Sequence, residues 1–252
     1  MSVETDARGA DAASAPALSA ASPATTAPAS RWLAEALAVF AKDWRVELRS
    51  RHALHTLLLF AVTTLITVSV ALGPLGVSSS ERLAVLPALL WVILLFAAAA
   101  GLPRAFVHEE ETHTATALRL AATPSAVFAG KVLYSASLLF AVEALLVPLY
   151  VAVMQLPVAS LGDLLLALGA GGLGLALAST LLAAIAAQAQ GRAALFPILA
   201  FPILLPLLLL AIELTRGAVG GAVGDGVVAN LVLYDATMAV AGLMLFPLVW
   251  NP

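Results

Sequence analysis

Six runs of mostly apolar residues constrain this chain more than anything else in it. They lie at Ala53 to Leu72, Leu83 to Leu102, Val132 to Met154, Leu164 to Ala187, Ala193 to Ile212 and Val228 to Trp250. A helix needs about 20 such residues to cross the hydrocarbon core of a bilayer. With no water there to satisfy backbone N–H and C=O groups, only helices and closed barrels can span it. The runs are continuous rather than alternating, so barrel strands are not expected. Of the 252 residues 62% are hydrophobic and 11% are charged, more apolar surface than a soluble domain can hide. The fold class expected is an all-α integral membrane protein with six transmembrane helices.

Two segments precede the first run. Residues 1–30 are rich in Ala, Ser, Pro and Thr and carry almost no large apolar side chains. They cannot bury enough surface to offset their ordering entropy, which predicts a disordered tail, and they lack the apolar run of a secretory signal. Residues 31–51 are expected to form an N-terminal interfacial amphipathic helix. Leu33, Leu37, Phe40, Trp44 and Leu48 recur at spacings of three and four, with Arg and Lys opposite, and Trp32 and Trp44 are expected at headgroup depth. Trp44, Arg45, Glu47 and Arg49 are its candidate functional residues. Such a helix either anchors only, or acts as an elbow that moves with a cytoplasmic partner. The six-helix transmembrane domain then spans 31–252.

Orientation follows from the positive charges. Ten of the twelve Lys and Arg residues fall on one side of the six runs, and only Arg82 and Arg216 fall on the other. By the positive-inside rule both termini face the cytoplasm. The loop of residues 104–131 faces it too. This loop, RAFVHEEETHTATALRLAATPSAVFAGK, interrupts the apolar pattern with three consecutive glutamates, two histidines, two arginines and a lysine. It reads as a short helical hairpin below the membrane, with Lys131 near the lipid boundary. It either docks into a cleft of another protein or is a solvated connector.

Several chemistries are missing. No GxxxxGK[ST] occurs, so no phosphate-cradling loop can form and any ATP-Mg is bound on another chain. The absence of cysteine excludes disulfides and thiolate metal sites. The four histidines, His52, His55, His108 and His113, all fall at or below the cytoplasmic boundary, which does not suit a stably held haem. His108 and His113, five apart amid glutamates, permit a metal site but read first as solvated histidines of a polar loop. No metal, catalytic or cofactor-binding residues and no nucleic-acid partner are expected; the chain is read as a non-enzyme.

Within the runs, Glu143 and Asp235 are costly ionisable groups that should face the bundle interior or water. They either line a path or bond neighbouring helices, and no Lys or Arg lies at matching depth. Ala170, Gly174 and Ala178 form a small-residue stripe that permits close helix approach, within the chain or at a dimer interface.

Two patterns carry a family resemblance. Ala115 to Pro124, A-T-A-L-R-L-A-A-T-P, resembles the segment G-T-L-E-Q-L-x-x-T-P of type-2 ABC export permeases, with Thr116, Leu120, Thr123 and Pro124 matching, Ala115 for glycine and Leu118 for glutamate. Pro87, Trp91, Val92, Arg104, Phe106, Glu109 and Glu110, preceded by Glu47 to Arg49 and Gly73-Pro74, are similar to the CcmB family over roughly residues 40–131. That resemblance implies a type-2 ABC exporter permease-like subunit for haem export or delivery in c-type cytochrome biogenesis, in the bacterial inner membrane. It implies a CcmA-like cytoplasmic ABC ATPase, a CcmC-like haem-handling membrane protein and a small CcmD-like subunit as partners, in a homodimer or hetero-oligomer, with haem as the transported or delivered ligand. Arg104, Phe106, Glu109, Glu110, Glu111, Thr116, Leu120 and Pro124 would form the coupling segment that docks the ATPase. A permease exporting a drug, lipid or polysaccharide would carry the same segment, although the Pro87 to Phe106 pattern argues against it. A scaffold without an ATPase would tolerate charge reversal there.

Overall fold

Helix-forming runs punctuated by proline and by left-handed residues set the element boundaries. The computed structural model describes residues 28–72, 79–102, 115–188 and 192–250. Among them are eight helices and no strand: α1 (Pro28–Ser50), α2 (His52–Leu72), α3 (Ser79–Gly101), the short α4 (Ala115–Ala121), α5 (Pro124–Met154), α6 (Leu161–Gln188), α7 (Arg192–Ala218) and α8 (Val227–Trp250). Six of them, α2, α3, α5, α6, α7 and α8, contain stretches long and apolar enough to cross a membrane. The all-α fold class with six spans is therefore what the chain forms.

Arg51, at φ 53°, breaks the chain between α1 and α2. Thr123 takes extended backbone, ψ 141°, as the residue before a proline is driven to do, and this ends α4 and lets Pro124 open α5 at its first turn. Gln155, in left-handed conformation, closes α5 with its N–H on the Val151 carbonyl.

The third span starts earlier than its hydropathy predicts. Val132 was the expected start, yet α5 begins at Pro124 and runs 31 residues, about 46 Å at 1.5 Å per residue. That exceeds the roughly 30 Å hydrocarbon thickness, so the helix projects past it by several turns. Lys131, expected near the lipid boundary, is instead buried within the protein. Its charge is matched by a carboxylate of α1, a partner that hydropathy cannot register.

α6 is the central helix. It packs on α3, α5, α7 and α8 and is the most buried of the spans. Its small residues allow this. Gly174 lies against Asp235 and Leu207, and Ala178 is buried in the core. The stripe of Ala170, Gly174 and Ala178 therefore serves packing inside the chain at Gly174 and Ala178, which removes the basis for reading it as a dimer interface. α2 and α8 carry most of their surface outward, with leucines and valines exposed, as lipid-facing helices do.

Candidate functional site

Four helices meet where α4 joins α5. Ala, Leu and Arg make α4 a strong local helix former despite its seven residues. Leu118 turns inward onto the core, and Leu120 stands out with 86% of its surface exposed. Arg119 between them lays its guanidinium 5.2 Å from the ring centroid of Trp250, at the last turn of α8. Trp250 continues an aromatic run, stacked on Phe246 at 5.3 Å, with Phe246 in turn 5.4 Å from Phe128 of α5. Gly242 makes room for it, because a Cβ there would fall 2.1 Å from the Phe128 ring. α4 is thus tied to the ends of both α5 and α8.

α1 joins the same cluster through a polar seam. Glu35 accepts hydrogen bonds from the Thr123 backbone N–H at 3.0 Å and from its hydroxyl at 2.9 Å. The carboxylate from α1 thereby sits at the N-terminus of α5, where it complements the helix dipole. Trp32 Nε1 donates to Ser125 Oγ at 3.0 Å. Lys131 Nζ lies 3.3 Å from Asp43 Oδ2. Tyr134 OH donates to Glu47 Oε2 at 3.2 Å, and the other Glu47 oxygen accepts from the Leu54 N–H at 2.8 Å in the first turn of α2. Between these contacts the helices touch backbone to side chain: a Cβ on Gly130 would fall 2.6 Å from the Ala36 carbonyl oxygen and 2.7 Å from Val39 Cβ.

This corrects part of the amphipathic reading of α1. Leu33, Leu37 and Leu48 do face outward, which suits a helix in the interface. Phe40 and Trp44 do not join them in the open. They stack on each other at 6.2 Å, and Trp44 meets Tyr134 edge-on at 6.4 Å. The acids Glu35, Asp43 and Glu47 form the docking face, while Arg45 and Arg49 are exposed. Spacings of eight and four put the three acids on one helix face, a signal that was present in the sequence but pointed at partners 87 or 88 residues away.

The Thr123 N–H, then its hydroxyl, hold the Glu35 carboxyl below the ordinary glutamate range; partial burial opposes this and Arg31 adds to it. A carboxyl lowered on folding stabilises the folded state above its unfolded value, near 4.3, and loses that contribution as pH falls through its folded value. Acidification below about pH 4 should therefore loosen the α1–α5 contact. Trp32 fluorescence, in a chain whose other tryptophans are phenylalanine, should report it, and Glu35→Gln should flatten the profile.

The two intramembrane acids flank α6. A Cβ on Gly172 would fall 2.7 Å from Glu143 Oε1, and one on Gly174 would fall 2.3 Å from Asp235 Oδ1. Both side chains are buried, and neither of these oxygens has a hydrogen-bond partner among the described residues. At these atoms the helix-bonding reading finds no bond. Trp91, fully buried, donates to Thr215 Oγ1 at 2.8 Å and rests on Gly171, which joins α3, α6 and α7.

Of the expected coupling residues, Leu120 and Pro124 stand in this cluster and Thr116 belongs to α4. Arg104, Phe106, Glu109, Glu110 and Glu111 lie outside the described residues, as do His108 and His113. The importance of Arg119, Glu35 and Asp43 rests on long-range pairing that the sequence does not show, and Thr123 stands out there only as a match to the permease segment. The family model described as CcmB protein matches residues 34–250. No curated protein and no solved structure matches the chain.

Proposed function

This chain belongs to the CcmB family, the haem exporter protein B family, and we propose from that membership that it is a permease subunit whose α4 receives the stroke of a partner ATPase. The single observation that carries this reading is the placement of α4. It presents Leu120 outward while its own chain neighbours tie it to three other helices: Thr123 to α1 through Glu35, Pro124 to α5, and Arg119 to α8 through Trp250. A push on an exposed helix with such ties moves the ends of α1, α5 and α8 together. A solvated connector would need no ties of this kind.

The partner is a CcmA-like ATPase binding ATP-Mg, and the cargo system is haem delivery, with CcmC-like and CcmD-like membrane subunits alongside. The complex sits in the bacterial inner membrane with both termini of this chain in the cytoplasm, the side on which ten of its twelve basic residues fall.

Leu120→Glu tests the reading. Burying one leucine at an interface contributes roughly 1.5–3 kcal/mol, so the variant should lose ATPase co-purification about tenfold or more while inserting normally. Mature cytochrome c should fall in step. Undiminished recovery of the ATPase with the variant would overturn the docking role of α4.

A further inference from the structure

A cavity of about 520 Å³ opens between the second half of α5 and the first half of α6. That volume suits a small organic molecule or a lipid chain. Its walls are apolar, with Phe140, Val147, Leu165 and Leu168 among them, and Phe140 and Leu165 are also exposed on the outer surface of the bundle. It is open sideways, among residues that face lipid.

Two features make it more than an apolar gap, and both are hydrogen-bond acceptors. Glu143 is the one charged residue in its lining, is 5% exposed, and leaves Oε1 without a partner among the described residues. One turn on, Ala144 and Pro148 line the same cavity. Pro148 has no N–H, so the Ala144 carbonyl lacks the donor it would have in a regular helix. A buried carboxyl and a released carbonyl on one wall, with no Lys or Arg in the lining, is an acceptor-rich site. The unpartnered Glu143 oxygen is costly in such surroundings, and a donor supplied by a ligand offsets that cost.

We propose that this cavity binds a bilayer amphiphile whose hydrocarbon chain fills the leucine-lined part and whose hydrogen-bond-donating head group, an amine or hydroxyl, pairs with Glu143. Anionic head groups are disfavoured, because the lining offers them no cation. The carboxylates of haem are disfavoured on the same ground. The inference stands apart from the coupling role of α4, since it involves only α5 and α6.

Photolabelling of the whole chain in phosphatidylcholine nanodiscs tests it. The probes are a diazirine-bearing long-chain primary amine and the carboxylic acid of the same length. The amine should label peptides within 140–151 and 158–169, about tenfold more than the acid, as one hydrogen bond to a charged group implies. Glu143→Leu should bring the amine down to the level of the acid. Gly169→Leu provides the second variant. Gly169 lines the cavity, and a Cβ there meets nothing within 4 Å, so the larger side chain fills the space without disturbing the helix. It should abolish labelling by either probe. Equal labelling by amine and acid, or amine labelling unchanged in either variant, would overturn the proposal. So would an unlabelled wild-type cavity in which a Gly169→Cys chain crosslinks to another protein chain, the sign of a protein occupant.

Discussion

Lys131→Leu should unseat α1 from α5 and lower stability by about 3 kcal/mol, the low end of the roughly 3–5 kcal/mol that follows when one member of a buried ion pair is removed. The Lys131 side chain is 1% exposed and faces an Asp43 side chain that is 10% exposed. Without the ammonium, the Asp43 carboxylate is left in a crowded seam with Glu47 one turn away. Lys42, 3.1 Å from the other Asp43 oxygen, keeps the cost from reaching the upper end. The double variant Lys131→Leu, Asp43→Leu should recover most of the loss, because replacing both partners with apolar groups removes the stranded charge. Thermal denaturation of the four purified chains in mild detergent closes the cycle. A double variant as unstable as the single one would mean that the pair does not hold α1. Cytochrome c yield should track the same cycle if α1 carries motion from α4.

The second large effect concerns two glycines two residues apart on α6. Gly171→Ala places a Cβ 2.2 Å from Trp91 Cη2 and 2.8 Å from Cζ2. The indole cannot swing aside freely, because it is fully buried and its Nε1 is held by Thr215. Overpacking of this kind costs roughly 1–3 kcal/mol and should part α3 from α6. Gly169→Ala meets no neighbour and should be neutral or stabilising by up to about 1 kcal/mol through helix propensity alone. Unfolding midpoints of the two variants should therefore move in opposite directions, or one should move down while the other holds. A similar fall in both would show that glycine is needed along α6 for reasons other than the Trp91 contact.

The spans were legible because a bilayer imposes a length and a composition that any run either meets or fails. Leu83 to Leu102 and Val228 to Trp250 were placed within a residue or so of the span-capable stretches Leu83–Gly101 and Val227–Trp250. The start of α5 was misplaced for an equally physical reason. Lys131 and Ser125 look like loop residues until Asp43 and Trp32 are brought to them from 88 and 93 residues earlier. Glu35, Asp43 and Glu47 posed the same difficulty, since an acid stripe on a helix looks the same whether water or another helix covers it. The surroundings of Ala115 to Pro124 were half legible. Thr123-Pro124 announced a helix break, but Arg119 over Trp250 joins residues 131 positions apart, and no local pattern encodes that pairing. The glycines of α6 were legible as small residues, whereas the ring of Trp91 and the carboxyls of Glu143 and Asp235 that occupy the space they leave were not.

The seam between α1 and α5 also sets an order of assembly. α1 emerges from the ribosome long before its partner, since Glu35 waits for Thr123, 88 residues later. At about 5–20 residues per second the interval is roughly 4–18 s. During it α1 can rest on the membrane surface through Leu33, Leu37 and Leu48, but Glu35, Asp43 and Glu47 still lack their α5-side partners Thr123, Lys131 and Tyr134. Only after Lys131 and Tyr134 have been delivered can the helix lock down. Docking of α1 is therefore a late step in assembly, and a chain whose third span inserts wrongly would leave the acid face of α1 without its α5-side partners.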